Sequence, residues 1–465
     1  MRFTTLLSTV VAFIPLVPIA KAQTPFQVGN TTVQTTILAS DLRVPWDLVL
    51  GPDGWIWFTQ ASGEVYRLHP DDGTLQLIYT VPDVVLTGFT AGLHSMAFHP
   101  DFANEPYVYL HYLTSTTSSV IKRFLYDAGL NTFTSMSDHL LSIPIAAGPS
   151  HNGSRIIVDD AGMFMISIGE TMNASASAQD PNTSHGKILR FDPEGGIPAD
   201  NPVPGSYVYN WGHRNPQGLV KAANGHIYNS AHGAANDDEV NIVLPNRNYG
   251  WPTVLGLCDT PTEQTYCDAN DVLEPIHEFT SEVVAPSGID YFDHASLPEW
   301  QNSILVATLR GKELRQLKLD ATGDAVLEDN TYLSSTYGRL RDVLIHPDGR
   351  VFISTSNYDW AGVEGPLDDR IIVLSGPGTT TAVTEQSRSP RILLPNPASA
   401  TVSLAGVGAG AVNVTVFDAA GKLVLRSTVL ARQFDVSALS PGLYNVHVRE
   451  ASGSGYMAKL VVEGR

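Results

Sequence analysis

Short runs of aromatic and β-branched residues, each entered through a polar turn, recur along most of the chain. Gly51-Pro52-Asp53-Gly54 precedes Trp55-Ile56-Trp57-Phe58, and His99-Pro100-Asp101 precedes Tyr107-Val108-Tyr109-Leu110. Asp159-Asp160-Ala161-Gly162 leads into Met163-Phe164-Met165-Ile166, and Ala223-Asn224-Gly225 into His226-Ile227-Tyr228. Glu299-Trp300-Gln301-Asn302 before Ile304-Leu305-Val306 is a looser copy, and His346-Pro347-Asp348-Gly349 before Val351-Phe352-Ile353 is the last. Most units continue into a second strand carrying a basic residue, as in Glu64-Val65-Tyr66-Arg67-Leu68, Lys187-Ile188-Leu189-Arg190-Phe191 and Leu314-Arg315-Gln316-Leu317-Lys318-Leu319. Such turn residues end one strand and aim the next. Six turn–strand–turn–strand units, spaced by roughly 45–75 residues, predict an all-β fold and a six-bladed β-propeller over 23–375. A pair of β-sandwiches is the competing arrangement. Helical periodicity is almost absent, and 30 prolines with 39 glycines suit a fold made of turns.

The pattern changes near Gly376. Residues 376–389 are rich in Gly, Thr and Ser without apolar periodicity, which predicts a linker. Over 390–465 the alternation returns in Val412-Asn413-Val414-Thr415-Val416-Phe417 and Leu443-Tyr444-Asn445-Val446-His447-Val448, which predicts a small β-sandwich. Leu394-Pro395-Asn396-Pro397, Phe417-Asp418-Ala419-Ala420-Gly421-Lys422 and Leu439-Ser440-Pro441-Gly442-Leu443-Tyr444 resemble the C-terminal sorting domain of the type IX secretion system. The resemblance implies a partner, the type IX secretion machinery, and passage across an outer membrane, with the tail removed. A carbohydrate-binding sandwich is the alternative.

At the other end, Arg2, the apolar run Leu6 to Ile19 and Ala20-Lys21-Ala22 predict a signal peptide over 1–22. Pro15 and Pro18 break the run, and no later stretch reaches the roughly 20 apolar residues of a spanning helix. A secreted or cell-surface location follows, by export through a Gram-negative periplasm, with no stable membrane insertion. Losing Arg2 and Lys21 takes the formal charge from −19 to −21, since no acid leaves with them. So acidic a chain does not suit nucleic acid, which is bound through Lys and Arg on phosphates. In an oxidising compartment Cys258 and Cys267 are expected to pair across a Pro-containing loop. A metal or redox dithiol would need partners that the spacing does not offer.

Chemistry concentrates in Gly212-His213-Arg214-Asn215-Pro216-Gln217-Gly218, where two glycines and a proline predict a tight loop displaying Arg214 and Asn215. Alone, Arg214 reads as an inter-blade salt bridge. Gly233-Ala234-Ala235-Asn236-Asp237-Asp238-Glu239 joins acids to flexible backbone, a composition compatible with Ca²⁺. Arg339 and Arg341 fall at i and i+2 on one strand face, where two like charges call for an anion or for nearby acids such as Asp342. His151 lies in Ser150-His151-Asn152-Gly153-Ser154-Arg155, and imidazole is the usual base for a hydroxyl proton.

Together these motifs resemble the soluble glucose/sorbosone dehydrogenase family, whose six-bladed propellers use pyrroloquinoline quinone (PQQ) and Ca²⁺. The likeness runs from about Leu42 to Leu374. It includes Gly-Leu-His-Ser-Met-Ala-Phe-His-Pro-Asp-Phe at 92–102, Gly-Lys-Ile-Leu-Arg at 186–190 and Gly-Ile-Pro-Ala-Asp-Asn-Pro at 196–202. Asn-Tyr-Gly-Trp-Pro at 248–252, Ala-Pro-Ser-Gly at 285–288 and Arg-Leu-Arg-Asp-Val at 339–343 extend it. It implies an enzyme that oxidises the C1 hydroxyl of an aldose to a lactone and passes electrons to an external acceptor. It further implies His151 as the base, Arg214 on the quinone carbonyl and Asn215 orienting the cofactor. By the same resemblance the Gly233 and Ala234 carbonyls meet Ca²⁺, and Arg339 and Arg341 meet cofactor carboxylates. Arg310 falls where glucose-oxidising members carry a lysine; Glu239 and the Tyr249 carbonyl fall at a second, structural calcium site of some members.

Departures concern the sugar side. Thr90 stands where a glutamine contacts sugar and cofactor, and Ser150 replaces an aspartate before the base. Ala and Ser follow Gly169-Glu170 in place of a polar contact, with Gln179 or Asp180 as substitutes, and a substrate-side insertion is missing between Thr280 and Val284. These changes leave two further readings, a non-catalytic propeller binding a glycan or protein, and a calcium-dependent lactone hydrolase.

Overall fold

The computed structural model describes residues 25–86, 91–145, 150–171, 175–280, 282–358, 369–379, 393–404, 411–418, 423–430, 432–450 and 455–463. The leader expected over 1–22, Thr90 and most of the expected linker fall outside them.

From Pro45 to Ser375 the chain lays down six antiparallel sheets in succession. Their first strands are Pro45–Leu50, Leu93–Phe98, Ile156–Val158, Asn215–Lys221, Pro286–Phe292 and Leu340–Ile345. Five sheets have four strands. The sixth is completed by the N-terminal strand Thr31–Leu42, which pairs with Asp369–Ser375, and by Phe26–Val28 beside it. Each first strand touches the first strand of the next sheet, and Leu340–Ile345 returns to Pro45–Leu50, so the six form a ring.

The aromatic runs expected from the sequence are the second strands: Ile56–Gln60, Tyr107–Ser115, Phe164–Ile168, Ile227–His232, Ser303–Thr308 and Val351–Thr355. Their turns close first-to-second hairpins. In the first, Gly54 N–H donates to Gly51 O at 2.9 Å with Gly54 at φ +77°, a value that favours glycine. Second strands bury both faces between neighbouring sheets. Phe58, Tyr109, Phe164, Tyr228 and Phe352 are fully enclosed there, which is why these strands read as continuous apolar runs rather than alternations.

Polar side chains tie the first strands together where the ring narrows. Arg155 Nη1 donates to Asp342 Oδ2 at 2.9 Å and also to Asp47 Oδ1. Asp47 Oδ2 accepts from Ser95 Oγ at 2.6 Å. Gln217 Oε1 accepts from Arg341 Nη1 at 3.1 Å and Ser287 Oγ at 3.2 Å. Asp47, Ser95, Arg155, Gln217, Ser287 and Asp342 belong to six different sheets or the segments entering them, so one buried network spans the ring. Buried charges persist when paired and hydrogen-bonded in this way.

Two sequence expectations are corrected. The tight loop at 212–218 ends at Arg214. Asn215 opens a strand that pairs with Ile227–His232, with an irregularity between Pro216 and Gly218 that accommodates the proline. The Cys258–Cys267 segment is not a loop: Pro261–Asn270 is an α-helix, capped reciprocally by Thr260 and Glu263. The two cysteines are bonded to each other, as expected.

After residue 393 a three-stranded and a four-stranded sheet share a separate core of Val402, Val414, Val416, Phe434, Val446 and Leu460. Val412–Phe417 alternates inward and outward, as its sequence requires. No helix among the described residues is long and apolar enough to cross a membrane.

Candidate active site

The segment from 150 to 155 crosses from the second sheet to the third, and His151 adopts φ +56° in it. A left-handed backbone conformation of this kind is uncommon for a residue with a Cβ and needs surrounding structure to hold it. Two hydrogen bonds and one close approach supply that hold. Thr171 N–H donates to His151 O at 3.1 Å, Gly153 N–H donates to Asn215 Oδ1 at 3.1 Å, and Gly169 lies beneath. A Cβ on Gly169 would stand 2.1 Å from the His151 carbonyl oxygen, so only glycine allows this approach.

His151 Nδ1 lies 3.1 Å from Glu170 Oε1. Glu170 is 2% exposed, and its other oxygen accepts from Trp251 Nε1 at 2.8 Å. Burial pushes its carboxyl up, but hydrogen bonds from His151, Ser175 and Trp251 outweigh burial and leave it below its usual value. The carboxylate therefore stays ionised and fixes the Nδ1–H tautomer, which leaves Nε2 of a partly exposed imidazole as a lone-pair base. The sequence reading missed this role of Glu170. Its signal was an acid next to a glycine at the end of the apolar strand Phe164–Ile168.

Arg214 approaches from the fourth sheet. Its Nη1 donates to Gly233 O at 2.6 Å, its Nε is 4.0 Å from Glu170 Oε1, and its Cζ sits 5.3 Å from the Trp251 ring centroid. Burial lowers its proton affinity, opposed by Glu170 and Asp238. Asn215 faces the same space and donates from Nδ2 to His232 Nδ1 at 3.1 Å. His232, unremarked in the sequence reading, ends the strand Ile227–His232 and is the common neighbour of His151, Arg214 and Arg341. Burial first, then the neighbouring basic groups, hold its imidazole well below its ordinary pKa, so it is neutral.

The remaining predicted residues divide. Arg341 is buried, donates to Ser356 Oγ at 3.0 Å and lies over Trp46 with Cζ 5.7 Å from the ring centroid. Arg339 donates from Nε to Ser356 O at 3.2 Å, so both arginines converge on one residue. Gly233 is half-buried, with its N–H on Asp238 Oδ1 at 2.9 Å; Ala234 and Arg310 are exposed. Glu239 sits apart, in a group of acids. Burial, and then Asp238 and Asp237, push it up to about 7 despite donors from Asn241 and Gly256. Tyr249 is buried, stacks on His213 at 4.3 Å between centroids and donates to Ile242 O at 2.6 Å. Thr90 lies outside the described residues.

Beneath this wall the 3-10 turn Ser175–Gln179 is anchored by Lys187, whose fully buried Nζ donates to the carbonyls of Ser177, Ala178 and His185 at 2.9, 2.8 and 2.7 Å. Burial pushes Lys187 down to about 7. Gln179 at the end of that turn donates to Trp251 O at 2.7 Å.

An ordered histidine–carboxylate dyad facing a cluster of arginines, in an all-β ring, defines a class of oxidoreductase or hydrolase sites rather than a binding face alone. Comparison with known proteins narrows the class. Residues 42–361 match the model of the glucose/sorbosone dehydrogenase family, and the chain belongs to that family. Residues 393–463 match the secretion system C-terminal sorting domain. Quinoprotein glucose dehydrogenase B of Acinetobacter calcoaceticus is 26% identical, the match covering 73% of this chain and 88% of that protein. The aldose sugar dehydrogenase YliI of Escherichia coli K12 is 27% identical, covering 73% of this chain and 94% of that protein. The PQQ-bound aldose sugar dehydrogenase of Streptomyces coelicolor superposes with a TM-score of 0.64 at 30% identity, covering 74% of this chain and 98% of that one. These neighbours are propellers, and the nearly all-β architecture described above matches them.

Proposed function

We propose that the protein is an exported quinoprotein that oxidises the C1 hydroxyl of aldose sugars to lactones, with PQQ and Ca²⁺ as cofactors and an external electron acceptor. The observation that carries the reading is the His151–Glu170 dyad set against Arg214. The six sheets are read as the six blades of a propeller over 23–375, joined by a linker at 376–389 to a sandwich at 390–465 that the type IX machinery recognises. A leader at 1–22 and a secreted or cell-surface location complete that reading.

The residues present fit an anionic quinone. Arg214, Arg339 and Arg341 supply three guanidinium groups, forks suited to carboxylate and carbonyl oxygen. Arg214 Nε is buried without a hydrogen-bond partner among the described residues, as a donor reserved for a ligand would be. Arg214, Asn215, Arg339 and Arg341 would hold the quinone, with Arg310 and, from the sequence alone, Thr90 as further candidates. Carbonyl oxygens of Gly233 and Ala234 would hold Ca²⁺. The Gly233 carbonyl also accepts from Arg214 Nη1, and its second lone pair would be open to the cation. Glu239 and the Tyr249 carbonyl are the candidates for a second calcium.

When bound, the quinone supplies a hydride acceptor and the metal polarises it. His151 Nε2 takes the proton of the C1 hydroxyl, and Glu170 stabilises the imidazolium that forms. Arg214, held off Glu170 by the indole of Trp251, directs positive charge where the accepted electrons accumulate.

The test is reconstitution. Apoprotein is incubated with PQQ and Ca²⁺, and reduction of an artificial dye is followed with a panel of aldoses. Sugar-dependent reduction is expected. Quinone binding without turnover points instead to a non-catalytic propeller, a reading favoured by Ser150 and Thr90. Hydrolysis of lactones with Ca²⁺ alone points to a hydrolase. Either result discards the dehydrogenase reading.

A further inference from the structure

We infer that Trp251 is the positioning residue that joins the proton-accepting half of the site to its cationic half, an inference that rests on the roles given to His151 and Arg214 above. The indole meets both halves. Its edge donates from Nε1 to Glu170 Oε2 at 2.8 Å, while the other oxygen of Glu170 lies 3.1 Å from His151 Nδ1. Its face carries the Arg214 guanidinium at 5.3 Å.

Each contact solves a problem the other groups create. A carboxylate turns easily about its terminal torsion, which is broad and two-fold. Arg214 Nε stands only 4.0 Å from Glu170 Oε1, the oxygen that serves His151. Left alone, guanidinium and carboxylate would close into a bidentate pair and draw Glu170 from the histidine. The indole N–H is a donor only, so it pins Oε2 without competing for His151. The indole face offers the guanidinium an attraction that leads away from the carboxylate. Trp251 thus keeps the base and the arginine close without letting them neutralise each other.

Its own placement is built into the fold. Trp251 N–H donates to Gly212 O at 3.0 Å, two residues before Arg214, and its carbonyl accepts from Gln179 at 2.7 Å. Gln179 in turn ends the turn that Lys187 grips from beneath. The titratable groups around His151 are Glu170 and His232, with Arg214 beside both.

Two variants separate the contacts. Trp251→Phe keeps an aromatic face and deletes the N–H; Trp251→Met fills the volume and deletes both. Three quantities are read: the His151 imidazole titration in apoprotein by NMR, the affinity of Ca²⁺-loaded apoprotein for PQQ, and the pH profile of kcat/KM for aldose oxidation. With Trp251→Phe, Glu170 is no longer pinned, turns toward Arg214 and holds the imidazolium less strongly. The His151 titration and the acid limb of the profile then move to lower pH. At the optimum kcat/KM falls about tenfold, while PQQ affinity stays within about twofold. Trp251→Met weakens PQQ binding by a further factor of about ten through the unsupported Arg214. An unmoved His151 titration in Trp251→Phe overturns the inference, as does equal PQQ affinity in the two variants. Should Trp251→Met not fold, the NMR titration of Trp251→Phe decides. If wild-type protein neither binds PQQ nor oxidises sugars, the dehydrogenase reading fails, and the same titration still tests the Trp251–Glu170–His151 coupling.

Discussion

The role proposed for His151 rests on neighbours that remove its freedom. The left-handed backbone, the clearance over Gly169 and the ionised Glu170 together present Nε2 in one orientation. Replacing His151 by Ala removes the proton acceptor and leaves the cationic wall in place. Turnover in the reconstituted enzyme should fall about 10²–10⁴-fold, with PQQ affinity little changed, as measured by dye reduction and quinone titration. A parallel loss of quinone binding would mean that His151 supports the fold of the site instead. At this scale the sequence exposed the residues whose type is itself informative, His151, Arg214 and the Arg339/Arg341 pair. It hid Glu170, Trp251 and His232, whose roles depend on which neighbour each faces. Glutamate and tryptophan have many bland uses, and only the 2.8 Å and 3.1 Å contacts select one.

Among the elements, the second strands were legible because each is bounded by a turn and buried on both faces. First strands were not. Ile156–Val158 is only three residues long, and Asn215–Lys221 begins with Asn-Pro-Gln-Gly, which reads as a turn. The helix Pro261–Asn270 carries a capping signature in Thr260, Pro261 and Glu263, which the reading of this segment as a Pro-containing loop overlooked. The Cys258–Cys267 bond ties the residues before this helix to its second turn. Closing so short a loop restricts the unfolded chain, and replacing both cysteines by serine should cost about 2–3 kcal/mol in chemical denaturation. An unchanged midpoint would place the segment outside the cooperative unit.

For the whole molecule, the decisive feature is the network across the ring. Arg155 serves two carboxylates, Asp47 and Asp342, and burial together with the charge of Asp47 pushes Asp342 up to about 7 despite Arg155. An acid whose pKa is raised by folding holds a proton that the unfolded chain has already released. Between about pH 4 and about pH 7 the native state therefore binds more protons, and this group's contribution to stability falls as pH rises through that window. Asp342→Asn makes the neutral state permanent and keeps an oxygen acceptor for Arg155 and Leu48. Its stability relative to wild type should improve by about 1 kcal/mol or more between pH 5 and pH 8, read by urea denaturation at both. A constant difference across that range would show that Asp342 does not titrate there.

The sequence by itself determined the all-β character, the two-part organisation and the family, because turn chemistry, hydrophobic period and contiguous motifs are local properties. Tertiary structure alone decided how the ring closes and what the site residues do. Thr31–Leu42 finds its partner more than 300 residues away at Asp369–Ser375, and no local pattern encodes that pairing. Likewise His151, Glu170, Arg214 and Trp251 come from separate segments, and their protonation and orientation are set by burial and by one another. Those quantities exist only once the chain has folded.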